Sequence, residues 1–332
     1  MKKKILILGA ADDQVPLIKA AKEINLLVIC CDYTTTNPGL PFVDKHYQVD
    51  YTDQEAVLKI AQEEQVDGVI SNSEAAMENV ANVAEQLGLV GNSTQSVRYL
   101  QNKKCFRKLQ DQVGVYAPRH FCFQKADDIF PHLKEMHFPI VIKPCISSGT
   151  RGVRVIKTPN TQEIIDAFDD SLKFSWTNEV EIEEYVLMPT LSVIEGEVFV
   201  VGEDILLHGL YETKRTAWAP MVPALYSCPL TLLQEQQETI RNTVTKIING
   251  AGLTFGELNI EMYYTNTDKL FVIELNPRQG GRRLPEFLKT HNGIDYYRLL
   301  VSLAVGDQSY YNKIKSSEFV TVYDKIHRCA QS

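Results

Sequence analysis

The amino-acid sequence predicts a parallel α/β domain followed by a longer α+β region. In residues 1–90, short apolar runs alternate with segments of helical spacing, an order typical of a parallel sheet covered by helices on both faces. After about residue 117 strand-like runs predominate, interrupted by one long helical segment at about 231–250. The length of 332 residues also favours two or three domains over a single core.

The first domain is predicted from its alternating elements. Residues 5–8 and 27–31 are short apolar runs of strand length. The other elements predicted in this domain are helices at 15–24, 53–64 and 74–87 and a strand at 68–70. The opening strand is weak evidence for a dinucleotide site, because two glycine positions of that fingerprint hold Ala11 and Gln14.

The remaining elements follow a charged helix predicted at residues 95–112, which ends at Gly114. The strands predicted after it are 139–144, 153–156, 179–186, 191–201, 205–213, 257–264, 270–275 and 319–323, with helices at 162–172 and about 231–250. This mixture predicts an α+β architecture.

Composition excludes several classes of function. The net charge of −8 is spread along the chain, whereas nucleic-acid binding needs a concentrated basic surface. No apolar stretch approaches the ~20 residues that span a bilayer, so we expect no membrane partner. The seven cysteines are scattered and lack the sequence spacing of a zinc site, which predicts reduced thiols and a cytoplasmic location.

A loop rich in glycine and serine follows Lys143, which ends a strand between two prolines. Its free backbone N–H groups can bind phosphate oxygens, and Lys143 can reach the same phosphates. The alternative is a plain hairpin loop, because glycine and serine are common in turns. The candidate phosphate-binding residues of this loop are Ser147, Ser148, Gly149, Thr150, Gly152 and Val153.

A second candidate site combines two carboxylates and an amide. Alternation along a strand would place Glu257, Asn259 and Glu261 on one face. Glu274 ends an apolar run, and Asn276 follows it on the same side. These oxygen donors suit Mg²⁺ that bridges nucleotide phosphates. A solvent-facing strand is the alternative, but a buried strand that ends in acid, amide and arginine is more often a site.

Basic residues complete the candidate site. Arg278 follows the acidic strand directly, and its fork of donors suits phosphate or carboxylate. Arg282 and Arg283 follow it and are equally consistent with a solvated charge cluster. Two further basic pairs stand at strand or helix ends, where such a pair alone is more often surface than site: Lys103 with Lys104, and Lys214 with Arg215.

In their order along the chain, these motifs resemble the ATP-grasp superfamily, and within it the carboxylate–amine ligases related to halves of the carbamoyl-phosphate synthase large subunit. The resemblance covers nearly the whole chain, and residues 274–281 are its most specific part. It implies an N-terminal Rossmann-like pre-ATP-grasp domain and two α+β lobes that enclose ATP. The implied limits are a pre-ATP-grasp domain at 1–94, a linking helix at 95–116, lobe 1 at 117–186, lobe 2 at 187–306, and a short strand and tail at 307–332.

The resemblance also implies roles for individual residues. Those matched to ATP contacts are Lys103, Lys143 and Lys214, the loop residues 147–153, and the adenine-reading hinge Glu183, Glu184, Tyr185 and Val186. Those matched to the Mg²⁺ ligands are Glu261, Glu274 and Asn276, and Arg278 and Lys143 match catalytic positions. Thr190 stands where the family has a ribose-binding Glu, and only about 25 residues follow Gly306, where many relatives have a further lobe.

The chemistry implied is ATP-dependent ligation. A small carboxylate, such as that of an amino acid, becomes an acyl phosphate and is coupled to an amine with release of ADP and phosphate. Mg²⁺ is the expected cofactor, as two ions, with Mn²⁺ as an alternative, and a homodimer is one expected assembly. The alternatives are a bicarbonate- or small-carboxylate-phosphorylating enzyme of the carbamoyl-phosphate synthase type and a non-catalytic nucleotide-binding protein. By position, the acceptor-pocket candidates are Tyr211, Arg215, Trp218, Arg282 and Arg283.

Overall fold

The computed structural model of the chain describes residues 2–147, 149–190, 192–216, 219–227, 230, 232–281 and 283–316. The predicted strand at 319–323 lies outside these ranges, as do Ser148, Trp218 and Arg282. Across the helices that are described, none combines the length and the apolar character that a bilayer crossing requires.

The N-terminal region is a parallel sheet with helices on both faces, as predicted. Its strands are β1 (Lys4–Leu8), β2 (Leu27–Cys31), β3 (Lys45–Tyr47) and β4 (Gly68–Ile70), in the spatial order β3-β2-β1-β4. Its helices are α1 (Val15–Glu23), α2 (Gln54–Glu64) and α3 (Met77–Leu87). Ile5 and Ile7 of β1 pack in the core that includes α1, while Leu6 and Leu8 pack in the core that includes α2 and α3. Burial on both faces explains the continuous apolar run of β1.

Two helices occupy the segment where the sequence predicted one. They are α4 (Thr94–Gln101) and α5 (Lys103–Gln112), and they are separated at Asn102. The backbone of Asn102 is extended, with φ −88° and ψ 111°, and its side chain accepts a hydrogen bond from the Cys105 N–H. Asparagine is a favoured N-cap, so it both ends α4 and begins α5. At the start of α5, the Lys103 N–H donates a hydrogen bond to the Cys145 carbonyl at 3.0 Å.

A four-stranded antiparallel sheet, which we call the lobe 1 sheet, follows. Its strands are β5 (His120–Phe123), β6 (Ile140–Pro144), β7 (Arg154–Ile156) and β8 (Val180–Glu184), in the order β5-β8-β6-β7. One face packs on α6 (Thr161–Phe174) through residues such as Ile142, Phe168 and Ile182. The opposite face carries Lys143 and Glu183, which are also buried. Alternation along the strands therefore separates an apolar core from a polar face.

A five-stranded antiparallel sheet, the lobe 2 sheet, completes the architecture. Its strands are β9 (Ser192–Val201), β10 (Asp204–Thr216), β11 (Ala219–Ser227), β12 (Phe255–Tyr264) and β13 (Leu270–Asn276), in the order β11-β10-β9-β12-β13. The helices are α7 (Gln234–Ala251), α8 (Leu284–Asn292), α9 (Tyr296–Ala304) and α10 (Ser309–Ser316). The sequence did not predict β11, which contains two prolines. Because β11 is an edge strand, the N–H groups that its prolines lack are not needed for pairing on the open side of the sheet.

The C-terminal helices join the two halves of the molecule. Leu299, Val301 and Leu303 of α9 lie in the same core cluster as Ile5 and Ile7 of β1. The backbone of Ala304 also lies so close to Gly68 that a Cβ there would stand 2.5 Å from the Ala304 carbonyl oxygen. Although α9 falls within residues 187–306, its packing is thus against the N-terminal parallel sheet.

Candidate active site

A cavity of about 500 Å³ lies between the lobe 1 and lobe 2 sheets. This volume is in the range of small-molecule sites. Its lining combines residues from every part of the fold: Glu74, Lys103, Val141, Lys143, Ser147, Gly149, Thr150, Val153, Glu183, Tyr185, Val186, Met188, Glu195, Tyr211, Arg215, Asn259, Glu261, Tyr263, Phe271, Ile273, Glu274, Arg278, Gly280, Gly281 and Leu284. Most of the residues that the sequence singled out therefore meet at one place.

The glycine-rich loop forms one wall of this cavity. Ser147, Gly149, Thr150 and Val153 line it, whereas Gly152 is not among the lining residues. Gly152 has a φ of +71°, and a Cβ there would lie 3.0 Å from the Cα of Ser171. Both the backbone conformation and the space behind the loop therefore favour glycine at this position.

Lys143 stands on the polar face of the lobe 1 sheet. Its Nζ donates to Glu183 Oε1 at 2.6 Å, and Arg107 Nε donates to Glu183 Oε2 at 2.9 Å. Burial raises the pKa of Glu183, but the charges of Arg107 and Lys143 outweigh it and lower the pKa to about 2. Glu183 is thus an ionised carboxylate held between two cations. Lys103, the first residue of α5, also lines the cavity.

The predicted hinge is divided between the cavity and the surface. Tyr185 and Val186 line the cavity, and the Val186 carbonyl accepts a hydrogen bond from the Tyr263 hydroxyl at 2.6 Å. Glu184 faces away and accepts a hydrogen bond from the backbone N–H of His137 at 2.9 Å. Thr190 is exposed and does not line the cavity. In this structure, Thr190 therefore supplies no side chain at the ribose position that the resemblance implies.

The two carboxylates of the predicted metal site are cross-strand partners. Glu261 of β12 pairs with Glu274 of β13, and Asn276 Nδ2 donates to Glu274 Oε1 at 2.9 Å. Burial, followed by the charges of Glu274 and Glu195, raises the pKa of Glu261 to about 8. Crowded buried carboxylates repel one another, and a bound cation would relieve that repulsion. The donor set is composed of oxygens and fits a hard divalent ion such as Mg²⁺.

Asn259 and Glu261 both line the cavity, and Glu257 is buried on the same strand, so the predicted alternation along β12 is confirmed. On β10, Lys214, which the resemblance matches to an ATP contact, lies on the face away from the cavity. Tyr211, Thr213 and Arg215 are buried, whereas Lys214 is exposed and lies 3.9 Å from Glu212. Lys214 does not line the cavity because side chains alternate across a strand. The inward cation is Arg215, which contacts Glu261 Oε2 at 2.8 Å.

Arg278 reaches across to the N-terminal domain. Its Nη2 lies 3.2 Å from Glu74 Oε2, and Glu74 follows β4 of the parallel sheet. Glu74 was not among the predicted site residues. Its place in the sequence, just after a predicted strand, could have indicated a site residue, because ligand-binding residues of parallel sheets gather beyond the carboxyl ends of the strands. Arg283, in contrast, is exposed and outside the cavity lining, with its guanidinium 3.7 Å from Glu286.

Two buried carboxylates, Glu195 and Glu197, support the floor of the cavity, and neither was among the predicted site residues. Glu195 accepts hydrogen bonds from Tyr211 and Thr213, at 3.1 and 2.8 Å. Glu197 Oε1 accepts from Asn259 Nδ2 at 2.8 Å and from the Gly280 N–H at 3.0 Å. Both carboxylates lie on β9. Two glutamates at alternate positions of an otherwise apolar strand are the sequence pattern that could have indicated them.

Gly280 is the position at which this floor leaves no room for a side chain. A Cβ at Gly280 would meet the Glu197 carboxylate and would lie 2.6 Å from Leu284 Cδ2. Gly280→Ala is therefore expected to lower the free energy of unfolding by about 1–3 kcal/mol. Gly281→Ala is the matched control, because a Cβ at the neighbouring glycine meets nothing within 4 Å. Urea unfolding of the two variants tests the difference, and equal stabilities would contradict it.

The Glu197–Glu257 pair makes stability depend on pH. Burial raises the pKa of Glu257 from its ordinary 4.5 to about 8, and burial with the charge of Glu257 raises the pKa of Glu197. Between pH 4.5 and about 8, the native state therefore binds more protons than the unfolded state. The free energy of unfolding is therefore expected to fall as pH rises from about 4.5 to about 8.

Glu257→Gln tests this dependence because glutamine is a neutral isostere of the protonated acid. Urea unfolding without nucleotide or divalent ions is expected to give a shallower slope with pH for this variant than for wild type. Glu203→Gln, at an exposed turn, is the control and should keep the wild-type slope. A wild-type stability that rises over this pH range would contradict the assignment.

Comparisons with known proteins agree with this architecture. The ATP-grasp domain family matches residues 136–286, and the PylC-like N-terminal domain family matches residues 5–92. An uncharacterized protein of Sinorhizobium fredii, y4rH, is 26% identical over 277 residues, covering 81% of this chain and 56% of that protein. The carbamoyl phosphate synthase large chain of Clostridium botulinum is 22% identical over 305 residues, covering 86% of this chain and 28% of that protein. The chain thus spans about half of one relative and about a quarter of the other.

Solved structures share the fold. An L-amino acid ligase from Bacillus licheniformis superposes with a TM-score of 0.76 at 21% identity, covering 92% of this chain and 74% of that chain. The parallel N-terminal sheet corresponds to one family match, and the lobes around the cavity correspond to the other. The resemblance predicted from the ordered motifs is confirmed: the chain has an ATP-grasp fold, in which residues 136–286 match the ATP-grasp domain family and residues 5–92 match the PylC-like N-terminal domain family.

Proposed function

We propose that this protein is an ATP-dependent ligase that activates a small carboxylate as an acyl phosphate and couples it to an amine. The observation that carries the proposal is that Lys143, the Glu261–Glu274 pair and Arg278 meet around one cavity. Ser147, Gly149, Thr150 and Val153 of the glycine-rich loop line the same cavity. The similarity in fold to an L-amino acid ligase supports an amino acid as one substrate. Because the chain spans only part of its first relatives, the proposal concerns the chemistry of this cavity.

Nucleotide binding is assigned from the lining of the cavity. We place adenine against the backbone of Tyr185 and Val186, and the phosphates beneath the loop containing Gly149 and Thr150. Lys143 and Lys103 would neutralise phosphate charge. Thr190, Lys214 and Arg283 are exposed and lie outside the cavity lining, so we leave them out of this assignment.

Glu261, Glu274 and Asn276 would hold Mg²⁺, and we propose two ions, with Mn²⁺ as a substitute. When bound, the metal supplies charge neutralisation of the phosphates. The raised pKa of Glu261 supports this role, because a cation replaces the protons that crowded carboxylates otherwise retain.

Two displacements account for the reaction. A substrate carboxylate oxygen attacks the γ-phosphorus of ATP, the bond to the β,γ-bridging oxygen breaks, and ADP leaves. The amine nitrogen then attacks the carbonyl carbon of the acyl phosphate, loses a proton, and expels phosphate as the amide forms. Arg278 lies beside Glu74 and would stabilise the negative charge that develops on the carbonyl oxygen. The 147–153 loop would exclude water, which otherwise hydrolyses the acyl phosphate.

The proposed domain limits follow this division of labour. We propose residues 1–94 as the pre-ATP-grasp domain, which contributes Glu74, and 95–116 as a linking segment of two helices. Residues 117–186 and 187–306 would form the two lobes, and 307–332 the C-terminal segment. We also propose a homodimer as the assembly, which sedimentation can test.

The test is ADP release measured over a panel of amino acids and other carboxylates, each with and without amines, with products identified by mass. Release that requires both a carboxylate and an amine, with an amide product, is the expected result. ADP release that never requires an amine would mean that the protein phosphorylates a carboxylate and does not ligate it. The similarity to carbamoyl phosphate synthase favours this alternative. ATP binding without any turnover would indicate a nucleotide-binding protein instead.

A further inference from the structure

Three side chains with metal-binding atoms meet on the polar face of the lobe 1 sheet, outside the cavity lining. Cys122 of β5 lies directly opposite Glu181 of β8 in the antiparallel register, and Cys145 follows β6. The Cys145 N–H donates to the Glu179 carbonyl at 3.1 Å, which holds Cys145 beside the start of β8. The two Sγ atoms are 3.4 Å apart, and every ligand atom of the trio lies within 4.8 Å of the others.

Glu181 supplies an independent reason to expect a ligand. Its side chain is completely buried, and neither carboxylate oxygen has a hydrogen-bond partner among the residues that the structure describes. A buried carboxylate without partners is costly, and such groups in native proteins usually have an explanation such as an ion. The nearby thiols are weak donors and cannot offset this cost as hydrogen bonds would.

The surroundings enclose the cluster and balance its charge. The Lys103 N–H at the start of α5 donates to the Cys145 carbonyl at 3.0 Å, so α5 lies against this end of the sheet. Lys104 interacts electrostatically with both thiols, and Lys143 and Arg107 with Glu181. Two thiolates and one carboxylate would carry three negative charges. A divalent cation with these neighbouring cations would compensate them.

The ligand atoms select the class of metal. Thiolates favour soft or borderline ions, whereas Mg²⁺ and Ca²⁺ prefer oxygen. In a tetrahedral zinc site with Zn–S bonds of about 2.3 Å, two sulfurs stand about 3.8 Å apart. The observed 3.4 Å between the Sγ atoms requires only a small opening of the pair. Water or the second Glu181 oxygen would complete the coordination.

We propose that Cys122, Cys145 and Glu181 form a binding site for a thiophilic divalent cation, with Zn²⁺ as its occupant. The ion would join three strands of the lobe 1 sheet beneath α5. This site is separate from the Glu261–Glu274 pair and does not depend on the proposed ligase activity. A disulfide between the cysteines is the competing account of their proximity, but it would leave Glu181 without a partner.

Cobalt titration of the reduced, chelator-treated full-length protein tests the site. Mg²⁺ is kept in excess so that it occupies the oxygen-ligand site. Co²⁺ is expected to produce a near-ultraviolet thiolate-to-cobalt charge-transfer band that saturates at about one ion per chain. Added Zn²⁺ should abolish the band. Oxygen ligands alone cannot produce this signal, so it distinguishes the two sites.

Variants assign the signal to the three residues. Cys122→Ser and Cys145→Ser should each abolish the band, and Glu181→Gln should weaken Co²⁺ affinity at least about tenfold, since one of three protein ligands is lost. Cys30→Ser is the matched control, because Cys30 is another buried cysteine but lies in the parallel domain. Circular dichroism establishes that each variant is folded.

The wild-type titration keeps the proposal open to refutation even if a variant fails to fold. A wild-type protein with seven titratable thiols and no charge-transfer band would overturn the site. So would a band that persists in folded Cys122→Ser, or one that disappears in Cys30→Ser. Unchanged Co²⁺ affinity in Glu181→Gln would remove the carboxylate from the ligand set and overturn the three-ligand assignment.

Discussion

Glu274→Gln is expected to reduce ADP formation at least about 10²-fold, because a metal ion supplies several kcal/mol of charge stabilisation in phosphoryl transfer. Glutamine keeps the size of the side chain and an oxygen that can accept the hydrogen bond from Asn276 Nδ2. The change therefore removes one negative charge with little effect on packing. Initial rates at saturating ATP, measured over a range of Mg²⁺ concentrations, test the prediction.

Two comparisons separate a metal role from a general loss of structure. Glu261→Gln removes the cross-strand partner and should produce a loss of similar size. Glu212→Gln is the matched control, because Glu212 lies on β10 but not in the cavity lining, and its rate should remain at the wild-type level. If Glu274→Gln keeps wild-type turnover at every Mg²⁺ concentration, the metal assignment is wrong.

The site residues that the sequence predicted lie close together in the chain, within a single strand or loop. Glu274, Asn276 and Arg278 stand two residues apart, so strand alternation brings the first two to one side without reference to the rest of the chain. The glycine-rich loop is likewise continuous. The parallel fold of residues 1–90 was predicted for the same reason, since the alternation of strands and helices is a local pattern.

The parts that the sequence missed depend on contacts between distant elements. Glu74 reaches Arg278 only because the parallel sheet docks on lobe 2, across a separation of 204 residues. Lys214 and Arg215 are adjacent, and their roles differ by which face of β10 each occupies. A one-residue shift in register exchanges the faces, and the register of β10 with β11 is irregular at these two residues.

The cysteine cluster illustrates the same limit. Cys122 and Cys145 lack zinc-ligand spacing along the sequence, and Glu181 is further removed. They meet because β8 lies between β5 and β6 in the sheet, although it is the last of the three in the chain. Strand order of this kind follows from tertiary packing, which no single stretch of the sequence specifies.

Arg107 is expected to be the side chain whose loss most reduces stability. It is 1% exposed and donates to Glu183 Oε2, Gln110 Oε1 and the carbonyls of Val272 and Ile273. These contacts tie α5 to the lobe 1 sheet and to β13 at once. Arg107→Met is expected to lower the free energy of unfolding by about 3–5 kcal/mol, since a buried carboxylate loses one of its two cations.

Lys108→Met is the matched control, because Lys108 is the next residue of α5 and is exposed. Its stability should stay within about 0.5 kcal/mol of wild type in urea unfolding. Arg107→Lys separates charge from geometry: lysine keeps the cation beside Glu183 but cannot reach the several acceptors that the guanidinium fork contacts. The free energy of unfolding of Arg107→Lys is therefore expected to lie between those of wild type and Arg107→Met. A free energy equal to that of wild type would mean that charge alone holds α5 between the two lobes.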